Sequence, residues 1–215
     1  MRYAPVMERP RYFRNEIRRT DLAWNDWPAV RAFLEDQAVC RVAVHDAPFP
    51  YVVPQSYRFV GEAFLIHCAR VGRMARCIAA DPHVTIEVDQ VVSLLKAPKA
   101  NNTSFEYRSV IARCIAQAAL DDLAIETQQY AALEKYRPER DYEPIDRENA
   151  TRRIVALRCV IVELSAKKRI LEDGGGAPGG GDPGYVRYPF PPPAALSSLP
   201  REAFDPHRFR RTIEE

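Results

Sequence analysis

The residues best suited to chemistry lie together in one stretch of the sequence, residues 63–82. Arg70 and Arg73 flank Gly72 at the point where an alternating, strand-like pattern changes to a helix-like one. The first backbone N–H groups of a helix have no partner within the helix, and the helix dipole favours an anion there. A guanidinium group binds phosphate oxygens through its fork of donors. The turn containing Arg70, Gly72 and Arg73 therefore predicts a phosphate-binding site.

His67 ends the predicted strand just before this turn. An imidazole can donate a proton near neutral pH or stabilise negative charge. The alternative is a histidine that only satisfies hydrogen bonds within the fold. His45 and His83 lie at strand edges and are expected to be structural or exposed. Neither the histidines nor the cysteines have the spacing of a metal site, so we expect no metal.

The composition is that of an ordinary globular protein, with 215 residues and a formal net charge of +2. General nucleic-acid binders usually have a strong basic excess, so we expect no nucleic-acid partner. The five cysteines are an odd number without any C-x-x-C pair, which argues against a disulfide framework and fits a reducing cytoplasm. No apolar run has the length of a signal peptide or a membrane span. We therefore expect a soluble cytoplasmic protein without a membrane partner.

Two periodicities predict the elements that position these residues. Apolar residues that alternate with polar ones predict six strands, at residues 39–45, 51–60, 64–68, 84–89, 105–118 and 154–164. Apolar residues three and four apart, with caps and prolines at the ends, predict helices at residues 27–37, 74–80 and 121–136. Loops are predicted at residues 93–102 and 137–150. Short connections favour antiparallel neighbours, so the order of elements predicts a small, mainly β (α+β) barrel.

Composition divides the chain into four parts, with the predicted barrel domain at residues 20–170. Residues 1–19 hold six arginines and are either an arm that packs on the domain or a partner subunit, or a phosphate-binding strip. Residues 171–184 are rich in glycine, which predicts a flexible linker. Residues 185–215 are rich in proline and aromatic residues. They are either a disordered tail or a polyproline arm that lies over the domain or its dimer mate.

Four short motifs occur in an order and spacing that resemble a known family. They are YVVPQSY at residues 51–57, FLIHCA at 64–69, Gly72-Arg73, and YRSVI at 107–111. Together they resemble the FMN-binding split-barrel family, in the branch of pyridoxamine 5'-phosphate oxidase-related proteins that includes the nitroimidazole reductases. The resemblance covers about residues 18–168. It implies a six-stranded antiparallel split β-barrel with flanking helices, and a homodimer with two FMN sites at the subunit interface.

The resemblance also implies roles for individual residues. His67 lies within one of the four motifs and would be close to the flavin and the substrate, which makes it the candidate catalytic residue. The residues implied in FMN binding are Val53, Pro54, Gln55, Ser56, His67, Cys68, Ala69, Arg70, Gly72, Arg73, Met74, Tyr107, Arg108 and Ser109. The family commonly has lysine where this chain has Met74. Either this exchange is neutral, or the site binds FMN more weakly or takes a different ligand.

The function that the resemblance implies is an FMN-dependent oxidoreductase. It would take reducing equivalents from NAD(P)H and pass them to a small electrophile such as a nitroaromatic. One alternative is a non-catalytic protein on the same fold that binds or stores flavin or haem, and another is an interaction protein that acts through its proline-rich tail. Arg108 lies within an apolar strand and needs an anionic partner if it is buried. A carboxylate such as Glu87 or Glu106 would make Arg108 structural, whereas FMN or substrate would make it functional.

Overall fold

The computed structural model describes residues 8–119, 121–171 and 184–189, which form eight strands and four α-helices. The strands are β1 (Val39–Val44), β2 (Tyr51–Ser56), β3 (Arg58–Phe59), β4 (Ala63–Ala69), β5 (His83–Lys96), β6 (Ser104–Ala118), β7 (Ile154–Arg169) and β8 (Val186–Pro189). The helices are α1 (Trp27–Asp36), α2 (Arg73–Ala80), α3 (Asp122–Tyr136) and α4 (Arg147–Arg153). All six predicted strands and all three predicted helices are present.

Helix α1 begins where its capping signals predict. The side chain of Asp26 accepts a hydrogen bond from the backbone N–H of Ala29 at 3.1 Å, and a proline lies in the first turn. The helix then buries its apolar stripe, which consists of Trp27, Val30, Phe33 and Leu34. These residues join the core inside the curled sheet, where they replace contacts with water by contacts with other apolar side chains.

The strands form one antiparallel sheet in the order β2-β1-β5-β6-β7-β4-β3, and β8 pairs with β5. The strands at the two edges of this sheet, β2 and β3, follow each other in the sequence, because only Tyr57 separates them. The sheet therefore curls until its ends meet at Tyr57. Among the described strands β2 pairs only with β1, so a gap remains between β2 and β4, which we call the split. The predicted fold class is confirmed, although the sheet has eight strands rather than six and is not closed.

Tyr57 divides the predicted strand at residues 51–60, and helix α3 satisfies the backbone at this break. The backbone N–H of Tyr57 donates to the hydroxyl of Tyr136 at 2.8 Å. The Tyr57 side chain is buried, and its hydroxyl donates to the carbonyl of Leu34 at 2.7 Å. A buried backbone group without a partner would cost as much as a lost hydrogen bond. The strand can therefore change partners at Tyr57 because Tyr136 of α3 pairs with its backbone, while the Tyr57 hydroxyl is held by α1.

Strand β5 is longer than the sequence predicts, because β8 covers its far end. Residues 93–96, predicted as part of a loop, pair with β8 on one side and with β6 on the other. The carboxylate of Glu106, only 1% exposed, binds the guanidinium of Arg187 in β8 at 2.8 Å. Burial alone would raise the pKa of Glu106, but hydrogen bonds from Ser93, the Leu171 N–H and Arg187 lower it. The described start of the predicted tail thus packs on the domain.

Helix α4 lies partly within residues 137–150, which the sequence predicted as a loop, so that prediction was wrong at its end. The side chain of Asp146 caps α4 by accepting from the backbone N–H of Asn149 at 3.0 Å. None of the residues of α4 is buried. The sequence therefore has no apolar stripe here from which a helix could be predicted.

Residues 8–19 pack against the barrel of their own chain. Phe13 is buried, with its ring centroid 5.4 Å from that of Trp27. The backbone N–H of Arg14 donates to the carbonyl of Leu164 in β7 at 3.2 Å. For these residues the structure has the packed arrangement, one of the alternatives left open by the sequence. The predictions for residues 1–7, 172–183 and 190–215 lie outside the described residues.

The five cysteines are free, and four of them are buried. Burial raises the pKa of the Cys40 and Cys114 thiols to about 12, so both behave as small apolar core residues. In the part of the chain that the structure describes, no helix is both long and apolar enough to cross a membrane.

Candidate functional site

A cavity of about 350 Å³ opens at the split and collects most of the predicted site; we call it the split cavity. The half-buried face of β2, the end of β4 and the start of α2 form its walls. Its lining residues are Tyr51, Val53, Gln55, His67, Cys68, Ala69, Gly72, Arg73 and Met74. Every one except Tyr51 is among the residues that the sequence implied in binding. Tyr51 belongs to the same motif, and its alternation with Val53 and Gln55 could have identified it.

The phosphate turn has the helix start that the sequence predicted. Gly72 is required there because a larger residue would not fit, and not because of its backbone angles. Its φ of −76° is open to any residue, unlike the φ of +85° at Gly61 in the β3–β4 turn. A Cβ at position 72 would lie 3.0 Å from the carbonyl oxygen of Ala69, which is closer than side chains normally approach. Gly72 is also the N-cap of α2 and offers no side-chain cap. The first N–H groups of α2 are therefore open to an anion.

The arginines of the turn have partners within the chain. Arg73 pairs with Asp46 and lies over the ring of Tyr51, with its guanidinium carbon 4.7 Å from the ring centroid. Arg70 turns away from the split cavity and donates to the carbonyl of Thr151 at 2.6 Å. Arg73 alone of the predicted arginines therefore lines the split cavity, and Asp46 offsets part of its charge.

His67 is half-buried in β4 and lines two cavities, the split cavity and a second one described below. Burial lowers the pKa of His67, because an imidazolium ion loses hydration there. The neutral ring has one donor and one acceptor nitrogen. The neighbouring Cys68 is buried, which raises the pKa of its thiol. Cys68 therefore offers an uncharged wall to the split cavity, and His67 is the group there that can exchange a proton near neutral pH.

The second cavity, which we call the α3 cavity, has a volume of about 280 Å³. It lies between the end of β2, the middle of β4 and helix α3. Its lining residues are Ser56, His67, Gln129, Ala132, Leu133, Tyr136 and Ile145. Sequence reasoning implied only Ser56 and His67 here. The helical period of α3 indicates which of its residues share a face, but nothing in the sequence shows that this face lies over His67.

Helix α3 docks mainly through polar side chains. The side-chain nitrogen of Gln128 donates to the carbonyls of Ile66 at 2.5 Å and Leu157 at 3.1 Å. The helical period of the sequence predicts an inner stripe of Leu123, Tyr130 and Leu133 on this helix. Instead only Ile125 is buried, and Leu123 is 64% exposed. The expected position of Leu123 was therefore wrong, because hydrogen bonds to the sheet rather than an apolar stripe orient the helix.

The remaining predicted residues lie outside the split cavity. On β2, Pro54 is on the exposed face. On β6, Tyr107, Arg108 and Ser109 pair with β5 and β7, and Arg108 lines a separate cavity of about 470 Å³ against α1. The guanidinium of Arg108 donates to the side-chain oxygen of Gln90 at 2.9 Å.

Arg108 thus has neither of the carboxylate partners that the sequence suggested for it. Glu106 instead pairs with Arg187, and Glu87 pairs with Arg41 at 2.9 Å. Within the described residues, no cluster of three histidine, cysteine or carboxylate side chains could hold a metal ion.

Comparisons with known proteins agree with this fold. The family model described as pyridoxamine 5'-phosphate oxidase matches residues 26–168. Among curated proteins, none matches the sequence significantly. A flavocytochrome, Anf3 from Azotobacter vinelandii, is similar with a TM-score of 0.67 and 20% identity, over 87% of this chain and 92% of its own.

Two further solved structures share the architecture. The FAD- and haem-binding protein from Mycobacterium smegmatis has a TM-score of 0.63 and 20% identity, over 84% of this chain and 94% of its own. A protein from Bacteroides thetaiotaomicron, described as a candidate 5-nitroimidazole antibiotic resistance protein, has a TM-score of 0.58 and 16% identity. That alignment covers 68% of this chain and 86% of the other. At these identities the similarities establish the fold alone.

Proposed function

This chain belongs to the pyridoxamine 5'-phosphate oxidase family, and we propose that it is a flavin-dependent oxidoreductase that binds FMN in the split cavity. The observation that supports the proposal most is the convergence of eight residues implied by the sequence on this one cavity. They come from three separate elements, so their meeting there is a property of the fold and not of the motifs alone.

The chemistry of the lining fits the two ends of FMN. The uncapped start of α2 and the guanidinium of Arg73 suit the phosphate. Val53, Cys68 and Met74 offer an apolar wall to the ring. Met74 is buried, with its sulfur 3.8 Å from the side-chain nitrogen of Gln55, so it packs in place of the lysine common in the family. The charge at the phosphate end therefore comes from Arg73.

A bound flavin would supply the electron-transfer chemistry, between NAD(P)H as donor and a small electrophile such as a nitroaromatic as acceptor. The protein binds, orients and provides protons. His67 adjoins both cavities and is the proposed proton donor to the reduced acceptor. It donates from its protonated form, and burial, which lowers the pKa of His67, makes that form a stronger acid. Helix α3 lies over the β4 side of the site.

We also propose that the active form is a homodimer in the cytoplasm. In one chain Tyr107, Arg108 and Ser109 lie on β6, away from the split cavity, so they can reach a flavin only from a second copy. The split cavity is also at the lower end of the ~300–1,000 Å³ typical of small-molecule sites, which fits a site completed by another chain.

The test is the visible absorption spectrum of the purified protein, followed by titration with FMN. We expect flavin bands and saturable binding, and we expect Arg73→Ala to weaken FMN binding about tenfold or more, because a charge-assisted phosphate contact is lost. Arg76→Ala is the matched control, since Arg76 lies on the same helix but contacts the carbonyl of Val71. A colourless protein that does not bind added FMN would exclude the proposal.

A second candidate is a protein that binds flavin or haem without turnover. The flavocytochrome and the FAD- and haem-binding protein, which share this fold, make haem a specific candidate ligand. The neutral imidazole of His67 could serve as an axial ligand to haem iron. The spectrum identifies a haem protein, because bound haem gives an intense Soret band that His67→Ala would shift or remove. Multiple-turnover reduction of a nitroaromatic by NAD(P)H would exclude a protein that only binds flavin.

A further inference from the structure

The α3 cavity contains a buried polar atom without a partner. The side-chain oxygen of Gln129 is shielded from solvent and accepts no hydrogen bond from the residues that the structure describes. Buried polar atoms are nearly always paired. An unpaired acceptor lowers the equilibrium constant for folding or binding by a factor of about five to a hundred. Gln129 lines the cavity, so a rotation of its side chain would bring the oxygen to a ligand that supplies the missing donor.

The docking of α3 does not account for Gln129. The adjacent Gln128 uses its side-chain nitrogen to bind the carbonyls of Ile66 and Leu157, and this contact joins the helix to the sheet. Gln129 lies beside Ala132 and Leu133 on the face of α3 that lines the cavity. Gln129 is therefore placed at the cavity, whereas Gln128 binds the sheet.

The charge of the cavity restricts what can enter. Of the described residues that line it, none has a formal charge when His67 is neutral, and burial lowers the pKa of His67. A phosphate, carboxylate or ammonium group would lose its hydration here without gaining a counter-charge. A volume of about 280 Å³, with Leu133, Tyr136 and Ile145 in the wall, suits a compound with a single ring.

We propose that the α3 cavity is the site of the electron acceptor, and that it takes uncharged single-ring compounds with an N–H or O–H group that donates to Gln129. The proposal rests on the flavin function proposed above. His67, the proposed proton donor, lines both cavities. A compound in the α3 cavity would therefore lie beside His67, on the side opposite the split cavity. Phosphorylated substrates are excluded from this site.

The test compares 4-nitroaniline with 4-nitrotoluene, which replaces the amino group by a methyl group of similar size. Binding of each to the full-length, oxidised, FMN-treated protein is measured by calorimetry without a reductant, so reactivity does not enter. We expect the affinity ratio of 4-nitroaniline to 4-nitrotoluene to fall about tenfold in Gln129→Leu, because the hydrogen bond is lost. We expect 4-nitrobenzoate, an anion, not to bind.

Two variants control this experiment. Gln117→Leu makes the same exchange at an exposed position on β6 and should leave the ratio unchanged. Ala132→Leu fills the cavity and should abolish binding of both compounds while FMN affinity persists.

Three outcomes would overturn the proposal. These are an unchanged ratio in Gln129→Leu, no binding of either compound to the wild type, or a Gln129→Leu variant that loses FMN affinity but keeps the ratio. The last outcome would assign Gln129 to the flavin ring. If the protein binds no FMN but still shows the change in ratio, the flavin function fails and the ligand specificity of the cavity stands.

Discussion

At the scale of single residues, His67 joins the two cavities, and its burial has a measurable consequence. An ordinary histidine has a pKa of about 6.5, and burial lowers that of His67 in the folded protein. Between the two values the unfolded chain binds more protons than the folded one. The contribution of His67 to the free energy of unfolding is therefore present above pH 6.5 and falls as the pH drops through this window.

We predict that His67→Gln removes this pH dependence. Urea unfolding of both proteins between pH 5 and pH 8 should show the wild type losing stability relative to the variant as the pH falls below about 6.5. His83→Gln is the control, because His83 is exposed and pairs with Asp81. Parallel pH profiles for wild type and His67→Gln would show that His67 has no lowered pKa.

The residues of the phosphate turn show how far sequence reasoning extends. The sequence predicted the position of the turn, because Gly72 and the start of α2 are local features. It could not predict that Arg73 pairs with Asp46, 27 positions earlier, or that Arg70 turns to Thr151. Those partners come from distant parts of the sequence, and an arginine side chain is long enough to reach several alternative hydrogen-bond acceptors.

At the scale of elements, the site depends on α3, which docks through hydrogen bonds more than through apolar contacts. The hydroxyl of Tyr136 accepts from the N–H of Tyr57 and lies 2.6 Å from the carbonyl oxygen of Ala38. Loss of this hydroxyl would leave backbone groups at the sheet break without a partner.

We predict that Tyr136→Phe lowers the free energy of unfolding by about 1–3 kcal/mol. Amide hydrogen exchange should become faster at Tyr57 and along residues 121–136, because both depend on the same hydroxyl. Tyr142→Phe is the matched control, since Tyr142 follows α3 and contacts Arg137 through its ring. Equal stability of the two variants would mean that the hydroxyl of Tyr136 does not hold the helix.

At the scale of the whole molecule, the outward face of the sheet has the composition of an interface. Ile111 and Ile115 on β6 and Val162 on β7 are exposed apolar residues on neighbouring strands. Ion pairs border them, between Arg41 and Glu87 and between Arg113 and Glu163. An exposed apolar patch with a polar rim is typical of a surface that binds another protein.

We predict that Ile111→Asp prevents formation of the proposed homodimer and lowers FMN affinity together with it. A charge in the centre of an apolar interface has no counter-charge, and the monomer lacks residues from the second copy. Light scattering with size-exclusion chromatography reports the mass, and FMN titration reports the site. Leu123→Asp is the control, because Leu123 is 64% exposed on α3, compared with 47% for Ile111. A dimeric Ile111→Asp variant would place the interface elsewhere.

The sequence by itself determined six strands, three helices and the position of the turn at Gly72, because alternation, helical period, caps and glycine act between residues that are near in the chain. It also determined the family, through four motifs in register. Only the tertiary structure decided that the sheet breaks at Tyr57, that Arg108 lies apart from the split cavity, and that α3 brings Gln129 beside His67. These arrangements depend on contacts between distant segments, which residue spacing does not encode. The turn at Gly72 was thus predictable in position and stays a predicted anion site, whereas the cavities on either side of His67 became visible only in the folded chain.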